Sequence, residues 1–415
     1  MPFSAAAAPD EPTLARDTWL MLVVLCTAFM LSQAFRTAAA MMATQLQADF
    51  ALSPQQLGVF AAAFHFAFGG MQLFMGVGID LHGVRRTVLA AFPLAILGSL
   101  ISAVAPGYAF LLLGQVLVGI GCAPAFLVCT VFIARRFPEH RFAAVSGVAM
   151  AIGGLGLLLT GTPLAWLVDA QSWRAGFLVL ALGSALAWLA IFRWVRETRP
   201  HAHAAGRESP WRALRQFGAL FGQAHTLGIV ALGAVTYASF ITLRGLWLGP
   251  LLIDRYGFSL VQSGHVALAV SLIGLLGPPV FGRLDPKSAG RRRRWIIALT
   301  LVMAGLFVLL AVAPTAALSV AASLAIGFLC GYIVLQYADV RSAYPAALTG
   351  RAMAVFTMAM FLGIALMQWI TGGIASLAKA QQVEPFTAVF ATVAALLAAG
   401  ALAFASLPAA QARHG

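Results

Sequence analysis

Apolar residues fill long stretches of the chain, and each stretch has the length needed to cross a bilayer as an α-helix. A hydrocarbon core about 30 Å thick requires roughly 20 helical residues. The pattern therefore predicts an all-α integral membrane protein with twelve transmembrane helices, numbered here helix 1 to helix 12. They are expected at about 18–42, 57–78, 87–105, 108–134, 142–167, 173–194, 224–250, 259–282, 295–313, 316–338, 350–374 and 386–407.

The composition supports a membrane protein. Hydrophobic residues make up 61% of the chain and charged residues 9%, and the mean hydropathy is +0.91. A soluble domain carries about 25% charged residues. The first 17 residues lack the basic segment and short apolar core of a signal peptide, so we expect no cleavable leader.

A polar, basic segment divides the helices into two groups of six. We predict a cytoplasmic N-terminal tail at 1–17, a first six-helix bundle at 18–194 and a cytoplasmic linker at 195–223. A second six-helix bundle is expected at 224–407, followed by a cytoplasmic tail at 408–415.

The net charge of +13 is distributed as the positive-inside rule requires. With both termini in the cytoplasm, nearly all Lys and Arg residues fall in cytoplasmic segments, beside anionic lipid headgroups. This distribution argues against a nucleic-acid partner and makes membrane lipids the natural partners of the basic loops. The exceptions are Arg174, Arg255 and Lys379 in outside loops, and Arg36 and Arg244 within helices.

The two halves repeat one pattern. Ser53 follows Arg36 by 17 residues, and Ser259 follows Arg244 by 15 residues. Each serine is expected to open the next helix. Helices 1 and 7 are therefore predicted to be equivalent, which makes the bundles pseudo-symmetric and the two arginines counterparts. Internal repeats of this kind are common in secondary transporters.

The turn after helix 2 contains spaced glycines, an aspartate and paired arginines. A related turn follows helix 8 and contains Asp285, and a basic loop containing Arg135 and Arg136 follows helix 4. With these motifs the chain resembles the major facilitator superfamily over nearly its whole length. Leu81 stands where the family usually has a basic residue. The residues that carry the helix 2 turn are Gly76, Asp80, Gly83, Arg85 and Arg86.

The resemblance implies that these loops gate the cytoplasmic side. Asp80 lies at the end of a helix, where it could accept hydrogen bonds from a neighbouring helix N-terminus or pair with an arginine of the loop after helix 4. Such a contact would form in one state of the transporter and break in the other. The alternative is that Asp80 and the arginines only anchor the loop.

Arg36 and Arg244 are cations inside apolar helices. A charge at membrane depth usually faces a cavity and serves function. The pair resembles the helix 1 and helix 7 arginines of the organophosphate:phosphate antiporter branch, which implies an anionic substrate held between them. Guanidinium groups suit carboxylate and phosphate, since they bind two oxygens at once. None of the 13 Asp and Glu residues falls in the middle of a predicted helix.

Other polar residues are candidates for the transport path. Gln33 and Tyr237 are spaced to share a helix face with Arg36 and Arg244, and Gln336 lies on helix 10. His65, in the middle of helix 2, is the candidate for proton coupling because histidine titrates near neutral pH. For each of these four residues, a role in helix packing is the alternative.

The sequence therefore predicts a secondary active transporter of a small organic anion, carrying carboxylate or phosphate, or of an inorganic anion. A proton or a counter-anion would be the coupled ion. The alternatives are an exporter of apolar or cationic compounds with structural arginines, and a membrane sensor built on a transporter fold.

An enzyme is not expected, since no nucleophile triad, phosphate loop or metal-ligand spacing occurs. We expect no metal and no cofactor, and we expect a monomer. The Arg-rich and Lys-poor composition points to a bacterial inner membrane, spanned many times.

Overall fold

The computed structural model describes residues 11–138, 141–196, 224–286, 288–344 and 346–407. Every regular element in these ranges is helical, which confirms the predicted all-α fold with twelve membrane helices. Helices 1 to 6 are formed by Glu11–Phe50, by the two arms of Pro54–Ala103, by Tyr108–Cys122 with Ala125–Arg136, by Phe142–Leu159 with Thr162–Ala170, and by Trp173–Trp194. Helices 7 to 12 are formed by Ala224–Thr242 with Leu243–Trp247, Leu248–Pro250 and Leu251–Arg255, by Leu260–Arg283, by Ala289–Val312, by Ala316–Leu329 with Ile333–Ala343, by Ala346–Ala380, and by Pro385–Ser406.

Helices 1 and 7 form the centre of the molecule. Residues 31–43 and residues 238–252 are buried without interruption. A helix that is buried on every side belongs in the core rather than at the lipid surface. Helix 1 begins at Glu11, within the segment expected to be a tail, because the apolar pattern marks only the part of a helix that lies in the membrane. Most of the expected linker, residues 197–223, lies outside the described residues.

The serines predicted to open helices 2 and 8 do so with the same local structure. The Ser53 hydroxyl accepts a hydrogen bond from the backbone N–H of Gln56 at 3.2 Å, and the Gln56 side chain accepts one from the Ser53 N–H at 2.9 Å. Ser259 and Gln262 repeat the arrangement at 3.1 and 2.9 Å. This capping box satisfies two backbone donors at the helix start and supports the predicted repeat.

Several helices are broken at sites that hydropathy does not mark. Gly83 adopts φ 86°, which glycine tolerates readily, and it separates helix 2 from helix 3. Helix 4 breaks at Pro124 and helix 5 at Gly161. Helix 10 contains a 3-10 turn, Cys330–Tyr332.

The halves meet most closely on one face of the protein, where helices 1 and 7 end and helices 2 and 8 begin. We call this the distal face. Toward it, helix 2 packs against helix 11 and helix 5 against helix 8. The backbone N–H of Gln55 donates to the Ser376 hydroxyl at 2.9 Å, and Thr162 shares a 2.9 Å hydrogen bond with His265. Hydrogen bonds between the halves thus join both pairs of helices near this face.

Candidate functional site

Arg36 lies in the buried centre of helix 1 with 5% of its surface exposed. Its guanidinium carbon is 4.6 Å from the ring centroid of Phe68 on helix 2 and 4.5 Å from that of Phe361 on helix 11. The two centroids are 4.4 Å apart. Because these three distances are nearly equal, both rings lie on the same side of the guanidinium. The rings form an aromatic wall to which each half of the protein contributes one member.

The aromatic wall attracts the cation without using its hydrogen-bond donors. The Nε and Nη2 atoms of Arg36 are buried and have no hydrogen-bond partner among the described residues. These two atoms lie on one edge of the planar group, and their N–H bonds can bind two oxygens side by side. We call this the open edge of Arg36.

Polar groups from several helices surround Arg36. Tyr237 of helix 7 lies within interaction range of the guanidinium, and His65 lies within its electrostatic range. The His65 Nδ1 is 3.2 Å from the Ala61 carbonyl oxygen, while its Nε2 has no partner in the described part of the chain. The same holds for Oε1 of Gln33, which lies one helical turn before Arg36. Three of the residues proposed from the sequence therefore surround the first arginine.

Arg244 is fully buried, and its donors are largely occupied. Its Nε donates to the Ala267 carbonyl at 3.1 Å and to the Ser271 hydroxyl at 3.0 Å, both on helix 8. Its Nη2 donates to the Leu157 carbonyl at 2.9 Å and to the Thr160 hydroxyl at 3.4 Å, both on helix 5. Within the described ranges, only Nη1 is buried without a partner. Arg244 therefore ties helix 7 to the opposite half.

The backbone around Arg244 explains its close approach to helix 1. Arg244 lies in a π-helical turn, Leu243–Trp247, a local widening that is frequent at functional sites. A side chain at the next position would place its Cβ 2.8 Å from the Arg36 carbonyl oxygen, so Gly245 allows helices 1 and 7 to touch. Thr37 and Thr160 share a 2.6 Å hydrogen bond that joins helix 1 to helix 5.

The two arginines contact different helices in this conformation. Arg36 faces helices 2 and 11, whereas Arg244 faces helices 5 and 8. The predicted bridge of one anion between the two guanidinium groups therefore stays a prediction. Gln336, also proposed from the sequence, accepts a 3.0 Å hydrogen bond from Thr236 within the second half.

Sequence reasoning missed the residues that hold the arginines. Phe68 and Phe361 are aromatic residues in apolar helices, and nothing in the sequence separates them from packing residues. Leu157 contributes only its backbone carbonyl, which no side-chain pattern can reveal.

Comparison with protein families decides the class of the protein. The model of the Major Facilitator Superfamily matches residues 24–368. The chain belongs to this superfamily. The twelve helices described above agree with this membership, and the chain is thus a multi-pass membrane protein of the superfamily.

Individual relatives in the superfamily match the chain at low sequence identity. The chain is 26% identical over 270 residues to a hexuronate transporter of Bacillus subtilis, covering 63% of each chain. It is 28% identical over 263 residues to an alpha-ketoglutarate permease of Escherichia coli, covering 57% of each. The matched part of the chain thus spans less than two thirds of the length of either relative.

Solved structures of the superfamily share the fold. A D-xylose–proton symporter matches with a TM-score of 0.75 and 16% identity, covering 95% of this chain and 99% of that chain. A nucleoside transporter matches with a TM-score of 0.75 and 14% identity, covering 94% and 99%. At this level of identity, the structural match supports the fold alone.

The structure describes part of the loop after helix 2, which is predicted to act as a gate. The Asp80 side chain lies outside the described residues, so its expected pairing stays a prediction. Arg85 donates to the Phe192 carbonyl at 2.9 Å and so ties the loop to helix 6. Arg135 and Arg136 lie beside Arg85 around a small pocket.

The equivalent turn in the second half forms an ion pair. Asp285 accepts two hydrogen bonds from Arg292, at 2.6 and 2.9 Å. Arg292 also donates to the Ser342 hydroxyl on helix 10, at 3.3 Å. The turn between helices 8 and 9 is thereby fixed to helix 10, and its role as a gate stays a prediction.

Proposed function

We propose that the protein is a secondary active transporter of a small organic anion, and that Arg36 binds the anion. The observation that carries the proposal is the open edge of Arg36. It presents two buried donors near the contact between the halves, where alternating access places a substrate. A cation at membrane depth that keeps its donors available is suited to a ligand that supplies the counter-charge.

The energetics support an anionic partner. Burial of a charged group costs several kcal/mol even after relaxation of the protein. The two cation–π contacts stabilise the buried guanidinium by about 1–4 kcal/mol in total, at about 0.5–2 kcal/mol for each ring. Among the described residues no Asp or Glu side chain is buried, so a protein carboxylate does not supply the remainder. A bound anion would supply it.

We assign Arg244 a structural role in this conformation. Four hydrogen bonds hold it against helices 5 and 8, so it stabilises the closed distal face. Opening of this face would separate Arg244 from the helix 5 groups and free its Nη2. The two arginines would then bind in turn rather than together, with Arg36 available first.

The names of two relatives are consistent with an organic anion as the proposed substrate. The hexuronate transporter and the alpha-ketoglutarate permease both act on carboxylates by name, and these matches support the substrate class without deciding it. His65, near Arg36, remains the proposed proton-coupling residue. We place the protein in a bacterial inner membrane with both termini in the cytoplasm, which reporter fusions at the two termini would test.

Counterflow in proteoliposomes tests the proposal. Wild-type protein should exchange a labelled organic anion for the same unlabelled anion, and Arg36→Ala should abolish the exchange while it inserts normally. Arg174→Ala is the matched control, since Arg174 lies at the distal surface beside Asp49. Transport of amines or neutral compounds that survives Arg36→Ala would favour an exporter with structural arginines. Specific binding without exchange would favour a sensor.

A further inference from the structure

The open edge limits what a substrate can present to Arg36. Parallel N–H bonds from Nε and Nη2 fit two oxygens of one anionic group, which a carboxylate or a phosphate can supply, so the charge of the group decides between them. The aromatic wall fixes the orientation of the guanidinium from one side. Resting on the proposed function, we infer that the substrate binds Arg36 through a single carboxylate, and that it is a monoanion with hydroxyl groups.

The charges available at the site carry the first part of this inference. Arg36 offers two donors, whereas the Nε and Nη2 atoms of Arg244 are occupied by carbonyl and hydroxyl oxygens. Arg292, the third buried arginine of the described chain, is paired with Asp285. A phosphate monoester or a dicarboxylate would bring a second negative charge, and for it the described structure offers no second pair of donors, only the single Nη1 of Arg244. A buried charge without a partner is strongly unfavourable.

The unpaired polar atoms around Arg36 carry the second part. In the described structure, Ser32 Oγ and Gln33 Oε1 are buried without partners one turn before Arg36 on helix 1. Gln368 of helix 11 lies beside His65, and neither of its amide atoms makes a hydrogen bond of good geometry with the described residues. These groups comprise acceptors and donors, and a hydroxyl group can satisfy either kind. A substrate with several hydroxyl groups next to its carboxylate would therefore complete the site.

The site is enclosed in this conformation, and the opening movement of the halves would admit the substrate. The bound monoanion would join Arg36 on helix 1 to Gln368 on helix 11, and so would draw the two halves together. A ligand that binds the folded state raises the melting temperature. Thermal stability of the whole purified protein therefore reports binding without requiring transport.

Melting curves with compounds of matched skeleton test the inference. The six-carbon set is glucuronate, glucarate, glucose 6-phosphate, glucose and glucosamine. The three-carbon set is lactate, malonate, glycerol 3-phosphate and glycerol. At least one monocarboxylate, glucuronate or lactate, should raise the melting temperature more than the dianions, the neutral compound or the amine of its set.

Variants of Arg36 separate charge from geometry. Arg36→Lys keeps the charge but loses the two-donor edge, so the affinity for the monocarboxylate should fall by about tenfold or more, the equivalent of one lost hydrogen bond to a charged group. Arg36→Gln should abolish the shift. Arg174→Lys should leave it unchanged. Each scan also reports whether the ligand-free variant is folded.

The outcomes distinguish this inference from the proposed function. A larger shift by a dianion, lost in Arg36→Gln, would overturn the monocarboxylate inference and keep the anion transporter. An unchanged monocarboxylate shift in Arg36→Lys would overturn the geometric argument. Shifts by neutral compounds or amines alone, or by none of the compounds, would overturn both proposals.

Discussion

The two sides of the central pair, helices 1 and 7, stabilise a buried arginine in different ways. On the side of helices 2 and 11, aromatic rings hold Arg36 and leave its Nε and Nη2 without partners among the described residues. On the side of helices 5 and 8, backbone and side-chain oxygens hold Arg244 and occupy those same two atoms. The arginines are equivalent in the predicted repeat, but only Arg36 has both its Nε and its Nη2 donors available in the described structure.

This difference shows that the neighbours of a buried arginine decide what it can bind. A ring stabilises a guanidinium through its charge and leaves the N–H groups unused. A carbonyl oxygen stabilises the same group by accepting a hydrogen bond, which removes a donor. Within one fold, the first arrangement leaves donors free for the ligand that we propose, and the second builds a tie between helices.

The largest effect is expected from loss of the open edge. Arg36→Ala removes two hydrogen bonds to a charged partner, each worth about 1.5–3 kcal/mol, so anion transport should fall by about 100-fold or more. Initial uptake rates in proteoliposomes, corrected for the amount of inserted protein, would measure it. Rates within threefold of wild type would mean that the anion does not depend on Arg36.

The next effect concerns the close contact between helices 2 and 11. A Cβ at Gly372 would lie 2.9 Å from the Cα of Gly58, whereas one at the adjacent Gly373 meets no atom within 4 Å. Gly372→Val should therefore lower the stability of the distal-closed state by about 1–3 kcal/mol through overpacking. Gly373→Val is the matched control. Equal melting temperatures for the two variants would contradict the packing described here.

A smaller effect is expected on the side of helices 5 and 8. Thr160→Val removes the hydroxyl that pairs with Thr37 and accepts from Arg244, at a cost of about 1 kcal/mol. Thr392→Val makes the same change at a hydroxyl whose hydrogen bond in the described structure stays within helix 12, to the Ala388 carbonyl. Thermal unfolding should separate the two variants. If both lose the same stability, Thr160 does not join the halves.

The smallest effect is expected at the distal surface. Thr162→Val removes the hydrogen bond to His265, which is exposed, so stability should change by about 0.5 kcal/mol or less. The same unfolding assay applies. If Thr162→Val lowered the stability as much as Thr160→Val does, the exposed pair of Thr162 and His265 would stabilise the closed distal face as much as the buried hydrogen bonds of Thr160.

Much of the fold could be predicted from the sequence because the membrane imposes it. Long apolar runs must form helices in lipid, and the serines at 53 and 259 cap helices as expected. The breaks at Pro124 and Gly161 were not predicted, since both lie inside apolar runs. The first turns of helix 1 were not predicted because they lie outside the apolar run from which the helix was predicted.

The site could be predicted only in part. Two charged residues in apolar helices led to the predicted site, and the structure places Tyr237 and His65 near Arg36. The functional role of these residues stays a prediction. The different roles of the arginines could not be foreseen. They depend on Phe361 and on the Leu157 carbonyl, which come from distant parts of the chain and reach the arginines only through the packing of the halves.

The most direct test of the central claim compares ligand binding by variants of the two arginines. Isothermal titration of one organic anion would be carried out on wild-type protein, Arg36→Gln and Arg244→Gln. We predict that Arg36→Gln loses binding, and that Arg244→Gln binds the anion but melts at a lower temperature than wild type. Binding retained by Arg36→Gln and lost by Arg244→Gln would contradict the account.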